Sequence, residues 1–300
     1  MIKKLYIIGN GFDIYHGINS SYCSFREYCR VNEKDLYNKL ENYYDDSDLL
    51  WSNFEIGLST LNPKQVMAIA KFGHEGWNTS LKDMYAFVDG VQNEVDYLQI
   101  SLKEAFVEWV EQLEQGSKNL RLFFNVNDAL FLSFNYTHTL EDFYGIPKSK
   151  ICYIHGRAEN QFSQLIFGHC CNENEIEANM PDDNVLEEEA VKEIVNLLIN
   201  LRKDSNAIIQ QNNDFFQKLI SVDNVYVLGH SLSVVDDLYF EKIRQVVSPN
   251  SFWTVSCFND ADKANLKRLM NKLNVPVSQY KLIKIENIDN EFNLTLNFDK

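Results

Sequence analysis

The sequence predicts an α/β fold, a mostly parallel sheet with large helical insertions. Three observations carry this expectation. Short apolar runs of strand length recur along the chain, and most end in a loop rich in Gly, Asn or His. The runs are unbroken rather than alternating, as in strands buried on both faces. Long stretches with apolar residues at helical spacing separate them, which is the order of an α/β protein.

Residues 4–8 (KLYII) read as a buried first strand, ended by Gly9-Asn10-Gly11. From 34 to 120 the pattern becomes helical. Trp51, Phe54, Leu58 and Leu61 recur on one face, as do Val91, Val95, Leu98, Leu102, Phe106, Trp109 and Leu113. This stretch reads as a first helical insertion. Strand signals return at Ala129–Phe134, Ile151–Ile154 and Leu165–Phe167. A second helical insertion is expected over 172–220, with Val191, Ile194, Leu198 and Leu201 on one face. Val225–Leu228 and Phe252–Cys257 read as further strands, and Asn259-Asp260 as the cap of the helix between Phe252–Cys257 and the tail. Tyr280–Ile285 and Phe292–Phe298 alternate like half-buried strands, antiparallel at an edge. The expectation is one domain over 1–300 carrying both insertions.

Composition narrows the function. The 300 residues carry 28 basic and 43 acidic side chains, a net charge of −15. That balance disfavours broad nucleic-acid binding, which relies on basic surface. The excess is densest at 173–189, which reads as an exposed linker or helix cap. No apolar run reaches the roughly 18 residues of a membrane span, and the N-terminal apolar stretch is too short for a signal peptide. A cytoplasmic protein with reduced thiols is expected. The six cysteines form no CxxC pair, so no four-thiolate zinc site and no metal are assigned. Cys170 and Cys171, after His169, read as two thiols at a strand end.

Five of the six histidines lie in five short motifs. These are LYIIGNGFDIYHG, FLSFNYTHTLED, ICYIHG, LIFGHC and VYVLGHSLSVVDD. In an open α/β sheet, loops at the carboxyl ends of strands share one edge, where ligands bind. The segments therefore converge on one polar site. In Gly9–Phe12 the two glycines let the backbone turn tightly and present N–H groups to an anion, although the third glycine of the dinucleotide fingerprint is replaced by Ile14. Asp13 either caps the following turn or faces the ligand. Arg26 is placed to pair with an anionic ligand. Asn135 at a strand end binds a ribose hydroxyl or positions a water; otherwise it sits in a turn with Thr137 or Thr139 capping a helix. His155 can take a proton from a sugar hydroxyl or a water, and Gly156 allows close approach. His169 and His138 repeat this pattern in weaker form. Gly229, His230, Ser231 and Asp236 line the pocket; otherwise Asp236 or Asp237 starts and caps the next helix. Glu55 stands among apolar positions and is a further candidate. His74 reads as a surface-loop residue.

Together LYIIGNGFD, Trp51 and Glu55 of WSNFE, FNYTHTL, IHG, FGH and GHSLSVVD resemble the AbiH family of bacterial phage abortive-infection proteins. More distantly, their order is similar to the sirtuin-like, Rossmann-like nucleotide-binding fold. That resemblance implies an NAD-type ligand. Gly9 and Gly11 would contact phosphates, Asn135 would hold the nicotinamide ribose or the attacking water, and His155 would be the general base. Gly229 and Ser231 would lie near the adenosine. The absence of the paired-CxxC zinc module argues against protein deacylation. A carboxylate repels a diphosphate, so intact NAD requires Asp13 to turn away or to hold a metal or a sugar hydroxyl.

The function expected is an antiphage effector that hydrolyses NAD or a related nucleotide and requires no cofactor. A phage-derived trigger or partner protein is implied, no membrane is involved, and a homo-oligomer is compatible. Two other classes stand beside it: a non-catalytic nucleotide-binding sensor or assembly module, and a metal-dependent phosphodiesterase or RNase using Asp13, the histidines and Asp236.

Overall fold

A computed structural model of the protein describes residues 1–72, 81–113, 122–124, 126–160, 163–180 and 185–288. The expectations for His74 and for a strand at Phe292–Phe298 lie outside the described residues.

The chain opens with strand β1 (Lys4–Ile8) and the short helix α1 (Asn10–Tyr15). Helices α2 (Tyr22–Asn32), α3 (Lys34–Tyr43), α4 (Ser47–Ser52), α5 (Phe54–Gly57), α6 (Pro63–Phe72) and α7 (Leu81–Glu111) follow. Then come β2 (Ala129–Ser133), α8 (Thr139–Tyr144) and β3 (Ile151–Tyr153). A second helical run holds α9 (Glu173–Ala178), α10 (Val185–Asn200), α11 (Ser205–Gln211) and α12 (Asn213–Gln217). The chain then alternates β4 (Asn224–Leu228), α13 (Asp237–Val246), β5 (Phe252–Ser256), α14 (Asp260–Lys272) and β6 (Tyr280–Ile283).

It divides into two compact units. One comprises 1–21, 110–165 and 204–300 and contains all six strands; the other comprises 22–109 and 166–203.

In the first unit the strands form one parallel sheet in the order β3-β2-β1-β4-β5-β6. This is the doubly wound order, and chain direction reverses across the sheet between β1 and β4. Tyr6 stands in register with Phe131 and Tyr226, and the three rings stack at 5.0 and 4.9 Å between centroids. Phe12 of α1 and Leu140 of α8 cover that face. Leu5, Ile7, Leu132, Val225 and Val227 alternate onto the other face and are equally buried. Burial on both faces is why these runs are continuously apolar. Gly145 ends α8 at φ 65°, where its N–H reaches the Glu141 carbonyl. Asn259 caps α14 by accepting from the Asp262 N–H, as the sequence predicts.

The sheet edge differs from expectation. β6 lies at the edge but runs parallel to β5, because α14 returns the chain across the sheet between them.

The second unit is helical. Its core is an aromatic cluster in which Phe25, Trp51, Phe54, Phe106 and Phe167 meet at 4.5–6.4 Å. Trp51, Phe54, Leu58 and Leu61 are buried as their spacing implies, although Asn53 breaks the helix between Trp51 and Phe54. Leu165–Phe167 is not a strand. Phe167 belongs to this cluster, and the neighbouring His169 makes an isolated bridge to Arg202 instead of a ladder. Among the described residues no helix is long and apolar enough to cross a membrane.

Candidate functional site

The turn after β1 and the turn after β4 interlock, and their glycines are what allow it. A methyl group on Gly9 would stand 2.5 Å from the Cα of His230, and one on Gly11 would stand 2.9 Å from the Gly229 carbonyl oxygen. Gly229 has φ 66° and faces the Phe12 nitrogen in return. The Gly11 N–H donates to the Gly229 carbonyl at 2.7 Å, and Gly9 N–H to Leu228 at 3.0 Å. The expected role of these N–H groups as phosphate donors is therefore taken by loop-to-loop bonding at Gly9 and Gly11. Phe12 points into the core, where it is fully buried against His16 and Tyr144, so its side chain is structural. Asn10 turns outward from the sheet to grip Ser20, through its amide to the Ser20 carbonyl and from the Ser20 hydroxyl to its own oxygen.

Asp13 is the centre of a buried hydrogen-bonded cluster. It is 1% exposed. Thr137 donates its hydroxyl to one carboxylate oxygen at 2.6 Å and Thr139 donates to the other at 2.7 Å. Asn135 donates to the Gly9 carbonyl at 3.0 Å and also hydrogen-bonds Asp13. One carboxylate thus ties the β1 loop to the β2 loop. Burial pushes its pKa up from 3.8 to about 6, and the three hydrogen bonds hold back a larger rise. Asp13 accordingly faces neither solvent nor an open anion cradle. Thr137 and Thr139 do not cap α8 as the sequence reading allowed; their hydroxyls serve the carboxylate.

This has a measurable consequence. With the folded pKa above the unfolded value, Asp13's contribution to stability is full below 3.8 and is lost as pH rises through about 6. Lowering the pH from about 8 to about 5 should stabilise the wild type by ~1–2 kcal/mol relative to Asp13→Asn. Urea midpoints of both proteins across that range would show it; parallel curves would contradict it.

His155 ends β3 and is buried, its Nε2 3.3 Å from the Tyr239 hydroxyl and its ring edge-on to Phe134 at 5.2 Å. Gly156 has φ 86° and lies against the Gln164 carbonyl, which leaves no room for a side chain. His138 bonds through Nε2 to the Ala158 carbonyl and so pins the segment after His155. His230 is also edge-on to Phe134, at 4.5 Å between ring centroids. Its Nδ1 accepts the Leu232 N–H at 2.9 Å, so the neutral ring carries its proton on Nε2, which faces an Asp236 oxygen at 3.4 Å. Leu232 is held at φ 55° to make that bond, a conformation that costs a non-glycine residue about 1 kcal/mol or more. Ser231 is exposed, and its carbonyl accepts from Asn265. Asp236 and Asp237 start α13 without side-chain caps; Asp237 instead holds Arg268 at 2.6 and 2.9 Å and Lys272 at 2.9 Å.

The structure thus brings Asp13, Asn135, His138, His155, His230 and Asp236 into one unit at the carboxyl ends of β1 to β4. Arg26, Glu55 and His169 belong to the other unit. Arg26 is bonded to Glu41 and lies over Trp51, so its anion partner is internal. Glu55 pairs at 2.8 Å with Lys203, whose side chain is 0% exposed. His169 bonds Leu198 through Nε2 and accepts from the Cys171 N–H, and burial lowers its pKa. Thr137, Thr139, Phe134 and Tyr239 escaped the sequence reading as site residues. The Thr-His-Thr spacing just past Asn135 was the available signal.

The family model of bacteriophage abortive infection AbiH matches residues 5–257. The chain belongs to the AbiH family. Its members are bacteriophage abortive-infection proteins, which makes this chain a phage-defence protein. The match runs from β1 to the end of β5 and takes in every histidine motif of the site. Comparison with curated proteins returns no match for this AbiH-family chain.

Proposed function

We propose that this AbiH-family protein binds a nucleotide at the carboxyl edge of β1, β2 and β4 and hydrolyses the nicotinamide–ribose bond of NAD or of a related nucleotide. One observation carries the reading. Asp13, Asn135 and His155, all buried, follow β1, β2 and β3 at the carboxyl edge of a 3-2-1-4-5-6 sheet, the edge at which open α/β sheets take nucleotides. Nicotinamide leaves as a neutral molecule, so the reaction asks for activation of a water or hydroxyl and for support of an oxocarbenium-like ribose. His155 takes that proton, and the Tyr239 hydroxyl orients its ring. Asn135 positions the ribose or the water. Gly229 and Ser231 border the adenosine side. The difficulty of a carboxylate beside a diphosphate is met by the threonine screen on Asp13.

A metal-dependent phosphodiesterase is less favoured. Both Asp13 oxygens are engaged by threonines, and among the described residues no group of three or more His, Cys, Asp or Glu is arranged to hold a metal ion. The binding-only sensor draws support from the enclosure of His155, which is 3% exposed. It would retain nucleotide without turnover.

The test is nicotinamide release from NAD by purified protein, alone and with extract of phage-infected cells to supply a trigger. His155→Ala should lower the rate by about 100-fold or more. No release under any of these conditions would sink the hydrolase reading, and calorimetric binding of NAD in that case would favour the sensor.

A further inference from the structure

We infer that Thr137 is the residue through which the site recognises a ribose hydroxyl. The inference rests on the nucleotide reading above and names the group that the site selects. Asp13, Asn135 and Thr139 are buried, whereas Thr137 is half-buried and forms the outer side of the cluster. The Thr137 hydroxyl sends its proton to Asp13 at 2.6 Å, and Thr139 sends its own to the other oxygen at 2.7 Å. The two threonine oxygens lie 3.1 Å apart, with neither proton left for the other. A hydroxyl whose proton is committed keeps only lone pairs to offer. Thr137 can therefore accept from a ligand but cannot donate to it.

That restriction selects chemistry. A phosphate oxygen or a carbonyl finds no donor at Thr137, whereas a sugar hydroxyl brings one. The ionised carboxylate behind the threonine strengthens its acceptor character, since hydrogen bonds in a chain polarise one another. Protonation of Asp13, whose pKa lies at about 6, frees the Thr137 proton and removes the restriction.

The experiment compares nicotinamide release from NAD and from analogues lacking the 2′- or the 3′-hydroxyl of the nicotinamide ribose. Thr137→Val should lower kcat/KM on NAD about tenfold, and Thr137→Ser should restore it. On the analogue without the recognised hydroxyl, Thr137→Val should lose nothing further, the non-additivity expected of two partners in one bond. Preference for NAD over that analogue should shrink below about pH 6 in the wild type and stay flat in Thr137→Val. Thr139→Val, altered on the buried side, should keep the wild-type preference. An unchanged kcat/KM in Thr137→Val, or an equal loss on every analogue, overturns the inference and leaves the hydrolase standing. A wild type that neither releases nicotinamide nor binds ADP-ribose overturns the nucleotide reading and this inference with it.

Discussion

Gly229→Ala should yield almost no folded protein. The new methyl would sit 2.0 Å from the Phe12 nitrogen and 2.4 Å from the Gly11 carbonyl carbon, and both are backbone atoms that no rotamer change can move. Relief requires the β1 and β4 turns to part. Parting them breaks the Gly11-to-Gly229 hydrogen bond and shifts His230 off Leu232. Left-handed strain adds about 1–2 kcal/mol, and the whole loss should exceed ~4 kcal/mol, the range reserved for backbone and core disruption. Gly145→Ala separates the two causes. Gly145 has φ 65° with nothing within 4 Å of the place an alanine methyl would take, so it should cost only the strain, about 1 kcal/mol. Soluble yield and urea midpoints of both variants check this; similar tolerance of the two would refute the interlocked turns.

Lys203→Met should be the second most damaging change, at about 3–5 kcal/mol. The Lys203 ammonium is wholly enclosed and balances a nearly buried Glu55. Removing it leaves that carboxylate in a poorly solvating place, where the charged form is costly. The double variant Lys203→Met, Glu55→Gln should recover much of the loss, because the stranded charge goes with its partner. Urea unfolding of the single and double variants measures the coupling. Additive losses would mean that the pair acts through packing alone.

Five strands were legible to within a residue or so because burial on both faces forces unbroken apolar runs, and β1, β2 and β4 have that burial. Leu165–Phe167 has the same apolar look for another reason: Phe167 is drawn into an aromatic cluster. A three-residue run carries no period that separates the two cases. The glycines of the first turn were legible as a tight turn, but their partner at Gly229 was not, since close approach of two backbones leaves no mark on spacing. Arg26, Glu55 and His169 looked like site residues because a charged or imidazole group near apolar neighbours reads the same whether it awaits a ligand or already has a partner. Glu41, Lys203 and the Leu198 carbonyl are those partners. Asp13 was visible; its two threonines, read as caps, were not.

The place of β1 in the sheet also bears on how the chain is made. Lys4–Ile8 leaves a ribosome well ahead of Asn224–Leu228, yet one of its edges pairs with that segment. Until that distant segment emerges, β1 keeps a row of open N–H and C=O groups and Gly9 has no turn to lock against. Such an edge is slow to close and prone to wrong pairing in the interval. A chain cut short before β4 therefore carries Asp13, Asn135 and His155 without the β4 turn that Gly9 and Gly11 lock against.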